Sequence, residues 1–545
     1  MALGHNRTSA TALLLATLLS AHCVPAAIPR APGELAWSIR YDPKTLDPAK
    51  VDEQASEMVR FLTAGVLLRT NRQTQQPQPE LASAYTLSRD GLLLTFRLRE
   101  NLRFSDNTPL TSADVAWSLR RVLAPTTAAP VAQEFLAPER VKIETPDPFT
   151  VQIHLPKRII NVGRIFDEIA IEPVNRPSEA RITSGPFTLA DYKRGQYLRL
   201  SRNPNFWKHD AAGHPLPYSR GIRLDILNNR EQDVSLFVRG EYDLIDNLSP
   251  NYFNALAGRK PNSVRDLGPS LNTEQLWFNQ APNAPIPDFE KAWYRNRSFR
   301  VAISQAIHRA DLARIAYVGR ATPAYTFISP ANTVWRNPQL QVPREDPAAA
   351  AKLLTSAGFH KTDGTLFDST GHPVRFSILT NAGNGARQKM ATLIQQDLAA
   401  LGIEVTVVTL DFPALIDRLM HTANYQSCLL GLSDVDPDPN TMMNVWLSSS
   451  PNHQWNPSEP TPATPWENEI DAEMRAQASA LTPQARKRSI DRIGQIVADQ
   501  QPFIYLVFPN TLYAISPDLL GTQPAVVQPG LVWNVANLHR KGQQP

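Results

Sequence analysis

The sequence predicts a mixed α/β protein, and three observations carry that reading. Strand-like runs and amphipathic helical runs alternate along the chain instead of segregating. The stretch 374–432 reads strand, helix, strand, helix, strand, an order that needs a crossover and favours parallel pairing. A length of 545 residues with 42% hydrophobic composition can bury sizeable cores. The same numbers exclude several classes. Two Cys cannot build a disulfide framework or a Cys-rich metal site. A net charge of +4, from 55 basic and 51 acidic residues, is too even for the basic stripe of a nucleic-acid binder. The 47 Pro stand well above the usual share of about 5% and point to rigid turns and ordered loops.

At the N-terminus, His5 and Arg7 precede an apolar run from Ala10 to Leu19, with small residues at Ser20, Ala21, Ala26 and Ala27. That is the pattern of a secretory signal peptide over 1–27, and it is too short for a membrane span of about 20 residues. Cys23 offers an alternative, lipidated start, although His22 before it departs from the usual lipobox. Cys428 lies in an apolar run and reads as a buried, inert thiol.

Leu35 to Arg40 reads as a first strand, and Leu92, Leu94, Phe96 and Leu98 alternate as a second. Thr111-Ser112-Ala113-Asp114 is a capping box opening a helix with Val115, Leu119 and Val122 on one face. Val141–Ile143 and Phe149–Leu155 read as a hairpin. A second unit starts near Thr273 with the strand Leu276–Asn279, followed by Phe299, Ala302, Ile303, Ala306 and Ile307 on one helical face. Asp346-Pro347 starts a helix that Gly358 ends. Strands at Val374–Leu379, Ile403–Leu410 and Gln426–Leu432 flank helices at Met390–Leu401 and Pro413–His421. Thr482-Pro483 opens the last helix, which leads to the strand Phe503–Phe508.

No HExxH pair, GxxxxGK[ST] loop, GxGxxG fingerprint, GxSxG elbow or SxxK pair occurs. The expectation is no catalytic residue and no cofactor. Asp434-x-Asp436-x-Asp438-x-Asn440 opens like a calcium loop, but Pro439 and Val445 stand where Gly and Glu are required. It reads as an Asp/Pro turn capping a helix near Asn440, or as a ligand-contacting loop. No clustered His or Cys suggests a metal site.

The segments Tyr41-Asp42-Pro43-Lys44-Thr45-Leu46-Asp47-Pro48, Pro79-Glu80-Leu81-Ala82, Phe104-Ser105-Asp106-Asn107-Thr108-Pro109-Leu110-Thr111-Ser112-Ala113-Asp114-Val115, Ser184-Gly185-Pro186-Phe187 and Asn203-Pro204-Asn205-Phe206-Trp207 follow in order. With Phe299–Ser304 and Ala350–Leu354, they make the chain resemble a family 5 extracellular solute-binding protein of the peptide- and nickel-type ABC importers. Asn107 stands where that family usually has Gly, and both tolerate positive φ.

The resemblance implies a two-lobed periplasmic binding protein of type II-like α/β fold, with an extra N-terminal subdomain and lobes joined by two crossing strands. Lobe I is expected over 28–275 plus 503–545, including an inserted subdomain at about 50–180, and lobe II over 276–502. The crossing strands fall near Leu276–Asn279 and Phe503–Phe508. The implied function is ligand capture for an inner-membrane ABC permease by a monomeric periplasmic receptor that is not an enzyme. Its expected ligand is a peptide; an oligosaccharide or other small solute is the alternative within that role, and an exported hydrolase the alternative outside it. Asp434 and, second, Asp436 match the loop that holds a peptide's α-amino group in relatives, with the Asp-to-Pro spacing off by one. Arg387 matches a carboxylate-pairing Arg. Trp37, Arg40, Trp446 and Trp455 are candidate cleft walls, since Trp faces suit side chains and sugar rings alike.

Overall fold

Three larger sheets form where the sequence alternates or runs apolar, and each is covered by its own core. The computed structural model describes residues 29–135, 137–177, 180–433 and 436–542. The signal-peptide reading, Cys23 and Asp434 therefore lie outside the described residues.

The first sheet runs Glu34–Ile39, Gly221–Ile226, Tyr197–Arg202, Phe187–Lys193, with the first pair parallel and the others antiparallel. Leu35, Trp37, Leu198 and Leu224 pack there against Tyr513, Leu531 and Leu538, so the two ends of the chain share one core. The second sheet is antiparallel, in the order Ala82–Leu87, Leu93–Leu98, Thr150–His154, Lys142–Asp147. The helix Ser112–Leu123 lays Val115, Leu119 and Val122 into its core, as the 3.6-residue period requires. The Thr111 amide donates to Asp114 Oδ2 at 2.8 Å, closing that helix start. Asn107 takes φ +70°, the left-handed turn that Gly would otherwise supply.

The third sheet follows the path Leu244–Ile245, Phe503–Ile515, Thr273–Phe278, Ser427–Leu432, Arg375–Asn381, Glu404–Leu410. Arg375–Asn381 is parallel to both Glu404–Leu410 and Ser427–Leu432, as the strand–helix–strand order predicts. The helix Gly385–Ala400 makes the crossover and buries Met390, Ala391, Ile394 and Leu398. Asp346 caps the helix Pro347–Ser356 by accepting from the Ala349 amide at 2.8 Å. Cys428 is fully buried, and burial pushes its thiol up out of the reactive range.

The strand Phe503–Ile515 is longer than its apolar start suggests. Its first half pairs with Thr273–Phe278 and Ala321–Pro323, its second with Leu244–Ile245 and Val264–Pro269. Pro509, which has no amide to donate, sits where the partners change. Segments 264–278 and 503–515 thus run antiparallel between two cores. Leu512 and Ala514 join Tyr242 and Phe253 in one; Leu276 and Ile504 join Phe278 and Phe299 in the other.

One pH-dependent contact ties the crossover helix down. His308 Nδ1 lies 2.7 Å from Asp397 Oδ1, and the His308 amide donates to Asp397 Oδ2 at 2.9 Å. The Asp397 hydrogen bond raises the imidazole above its usual range. Its stabilising contribution is therefore complete below the unfolded His value of about 6.5 and is lost as pH rises through the higher folded value. The side chain is partly solvated, so under about 1 kcal/mol is at stake. Denaturant unfolding of wild type and His308→Gln should show a larger gap at low than at high pH; a gap that grows with pH contradicts the assignment.

Candidate functional site

Three side chains around the second sheet, two on loops and one on a short helix, reach a part of the chain distant in sequence. Gln75 Nε2 donates to the Ala331 carbonyl at 2.8 Å, and the Thr333 amide donates to Gln75 Oε1 at 3.2 Å. Arg158 donates to the carbonyls of Ala480 and Leu481 at 2.8 and 3.0 Å. Arg164 Nε faces Asp436 Oδ2 at 3.5 Å. Each contact joins a residue of segment 75–164 to one of segment 331–481.

Two adjoining cavities lie beside these contacts, both partly open to solvent. One, of about 400 Å³, is lined by Glu53, Glu57, Arg60, Arg164, Glu168 and Gln528. The other, of about 90 Å³, is lined by Trp37, Arg40, Met58, Arg230 and Val532. Gln54 lines both.

The first cavity is acidic for a stated reason. Arg60 is committed to Glu57 through two bonds of 2.7 and 2.6 Å. Arg164 serves three carboxylates: Glu134 at 2.8 Å, Glu168 at 3.2 Å and Asp436 at 3.5 Å. Arg60 also acts on Glu168 and Arg72 on Asp436, yet neither is directed at those carboxylates first: Arg60 pairs with Glu57 and Arg72 with Asp167. Burial pushes both the Glu168 and the Asp436 carboxyls up, against the attraction of Arg164.

The residues singled out in the sequence divide into two groups. Trp37 is buried on the first strand and edges the second cavity, with its Nε1 lacking a hydrogen-bond partner. Arg40 lies beside it and reaches Asp233 Oδ2 at 3.5 Å. Asp436 meets Arg164, and its Oδ1 also accepts the Asp438 amide at 2.7 Å. Asp438 accepts from the Asn440 amide at 2.9 Å and takes Arg486 on both oxygens at 2.6 and 3.0 Å, so the Asp/Pro run does cap the short helical turn Pro439–Met442.

The other three sit elsewhere than on a cleft wall. Trp446 and Trp455 are fully buried in the core with Phe327 and Phe503, where a large aromatic gains most from leaving water. Trp455 Nε1 donates to Glu467 Oε1 at 2.8 Å. Arg387 is spent internally: its Nε donates to Glu274 Oε2 at 2.8 Å and its Nη1 to Asn381 Oδ1 at 2.9 Å. Tyr317 adds a bond to Glu274 Oε1 at 3.1 Å. Gly431 is needed beside this pair, because a Cβ there would lie 2.7 Å from Arg387 Nη2.

Sequence reasoning missed Arg164 and Glu168. Both lie on the helix Val162–Glu168, one turn apart, which places them on one face. Nothing local marks that face as the one turned to Asp436.

Three comparisons bear on this geometry. The model of the bacterial extracellular solute-binding proteins, family 5, matches residues 76–454. A probable ABC transporter-binding protein of Deinococcus radiodurans is 27% identical over 436 residues, 72% of each chain. Two solved structures share the fold. The ABC transporter substrate-binding protein CtaP of Listeria monocytogenes gives a TM-score of 0.77 at 20% identity, covering 93% of this chain and 99% of that one. The oligopeptide-binding protein AppA of Bacillus subtilis, in complex with a nonapeptide, gives 0.65 at 20% identity, covering 93% and 98%.

Proposed function

Because the chain belongs to the bacterial extracellular solute-binding proteins, family 5, which are extracytoplasmic transport receptors and not enzymes, we propose that it captures peptides between its lobes for an ABC permease of the inner membrane. The observation that carries the ligand class is the excess of carboxylates around Arg164. A peptide brings an α-ammonium, and a buried ammonium must be paired and hydrogen-bonded. Asp436, and Asp434 two residues before it, are the groups we assign to that ammonium. Trp37 and Arg40, in the adjoining cavity, supply an apolar face and a polar edge for the residues that follow. A nonapeptide complex in a protein of the same fold is consistent with a ligand of this class.

In this reading the work is capture without chemistry, and closure of the lobes removes the ligand's apolar parts from water. Residues 1–27 are a leader removed on export, Cys23 being the alternative site of a lipid anchor. The receptor acts as a monomer, with lobes at 28–275 plus 503–545 and 276–502.

Thermal unfolding with di- to pentapeptides and with oligosaccharides tests the ligand class. A peptide present at 100 times its Kd should stabilise by about 2.7 kcal/mol. Stabilisation by a sugar and by no peptide overturns the reading. Asp436→Asn should weaken free peptides by at least tenfold more than amino-acetylated ones; equal weakening removes the ammonium role.

A further inference from the structure

The segment 447–464, between the helices Met443–Trp446 and Pro465–Ser479, is long for a stretch without helix or strand of its own. It nevertheless folds inward. His453, Glu459 and, at the start of the following helix, Glu467 are all buried. One ligand atom from each lies within 4.8 Å of the others.

His453 Nδ1 lies 2.9 Å from the Val445 carbonyl, which can only accept, so Nδ1 carries the proton and Nε2 turns inward. Among the described residues, Nε2 makes no hydrogen bond of good geometry; nor does Glu459 Oε1, 3.5 Å away. Glu467 Oε1 is 3.8 Å from the same nitrogen. The carboxylates are held from behind. The Ala463 amide donates to Glu459 Oε2 at 2.7 Å and the Thr464 hydroxyl to Glu467 Oε2 at 2.7 Å, while Trp455 Nε1 donates to the inward Glu467 Oε1 at 2.8 Å. The remaining buried cation nearby, Arg300, donates to the carbonyls of Gln500 and Tyr294.

We propose that His453, Glu459 and Glu467 form a structural site for a divalent transition-metal cation of the zinc type, pinning segment 447–464 to the helix Pro465–Ser479. Bonds of about 2.0–2.1 Å to one cation place neighbouring ligands about 3.3–3.5 Å apart in a tetrahedron, close to the separations across His453 Nε2 and too long for good hydrogen bonds. An imidazole whose other nitrogen is fixed by a backbone carbonyl, and carboxylates whose rear oxygens are fixed by donors, are the usual outer support of such a centre. Without a cation, the two buried carboxylates converge on one imidazole nitrogen in a dry core. The site is separate from the ligand cleft and independent of what the cleft binds.

Metal analysis of the full-length mature protein, equilibrated with Zn²⁺ and passed into metal-free buffer, tests the proposal. About one zinc per chain should remain, and Co²⁺ should replace it with the visible absorption of a tetrahedral centre. Chelation should lower the midpoint of thermal unfolding, and Zn²⁺ should restore it. Glu459→Gln keeps the shape and an acceptor for the Ala463 amide, and should weaken Zn²⁺ by a hundredfold or more. Less than a tenth of a zinc per chain, with no cobalt spectrum, overturns the site even if the variant does not fold. Full stoichiometry and unchanged affinity in a folded Glu459→Gln variant also overturns it.

Discussion

Trp446→Ala should lower stability by about 3–5 kcal/mol and leave the affinity of the folded protein for peptide unchanged. Trp446 has Phe327, Trp455 and Phe503 against its faces, so truncation opens a cavity that these rigid rings cannot close. Its Nε1 has no hydrogen-bond partner, so Trp446→Phe removes apolar volume without stranding an acceptor. The Phe variant should cost clearly less than Ala. Denaturant midpoints give the stability, and calorimetric titration with peptide gives the affinity. A large loss of affinity with little loss of stability would return Trp446 to the cleft wall.

Arg387→Ala should cost a similar amount, about 3–5 kcal/mol, for a different reason. Glu274 is buried on a crossing strand and its charge is answered by Arg387, with Tyr317 as a further donor. Removing the guanidinium leaves a carboxylate in low dielectric. Replacing both members, as in Arg387→Met with Glu274→Gln, should recover most of the loss, because two absent charges cost less than one unpaired charge. The same geometry predicts the ligand's response. With Arg387 engaged by Glu274, amidating a peptide's carboxyl end should change its binding by less than about 1 kcal/mol. A loss of several kcal/mol on amidation, abolished in the Arg387 variant, would assign Arg387 to the ligand instead.

Much of the architecture was legible residue by residue. The crossover block reads directly from its apolar runs, since Gly402 ends a helix of clear period and the next strand begins within two residues of it, at Glu404. The start at Thr111, the cap at Asp346 and the turn at Asn107 are local chemistry, decided by side chains within four residues of the backbone groups they satisfy. The family resemblance rests on such segments. The candidate site was legible only in part. Trp37 and Arg40 line one cavity and Asp436 meets Arg164, whereas Trp446 and Trp455 lie in the core and Arg387 pairs with Glu274. A Trp looks the same in sequence whether it faces a ligand or Phe503, and an Arg at a helix start does not reveal that Glu274 lies across from it.

The sequence by itself determined the class of the protein and the order and approximate bounds of its strongly patterned elements, though not helices such as Gln54–Thr63 and Pro465–Ser479. Those follow from periodicity and capping, which act over a few residues and leave their mark in the local pattern. Only the tertiary structure decided which charges meet. Arg164 and Asp436 are far apart in the chain, as are Arg387 and Glu274, and His453, Glu459 and Glu467 converge only because an irregular segment folds back onto a helix. Electrostatic pairing depends on distance and burial in space, and neither is written in the spacing of residues along the chain.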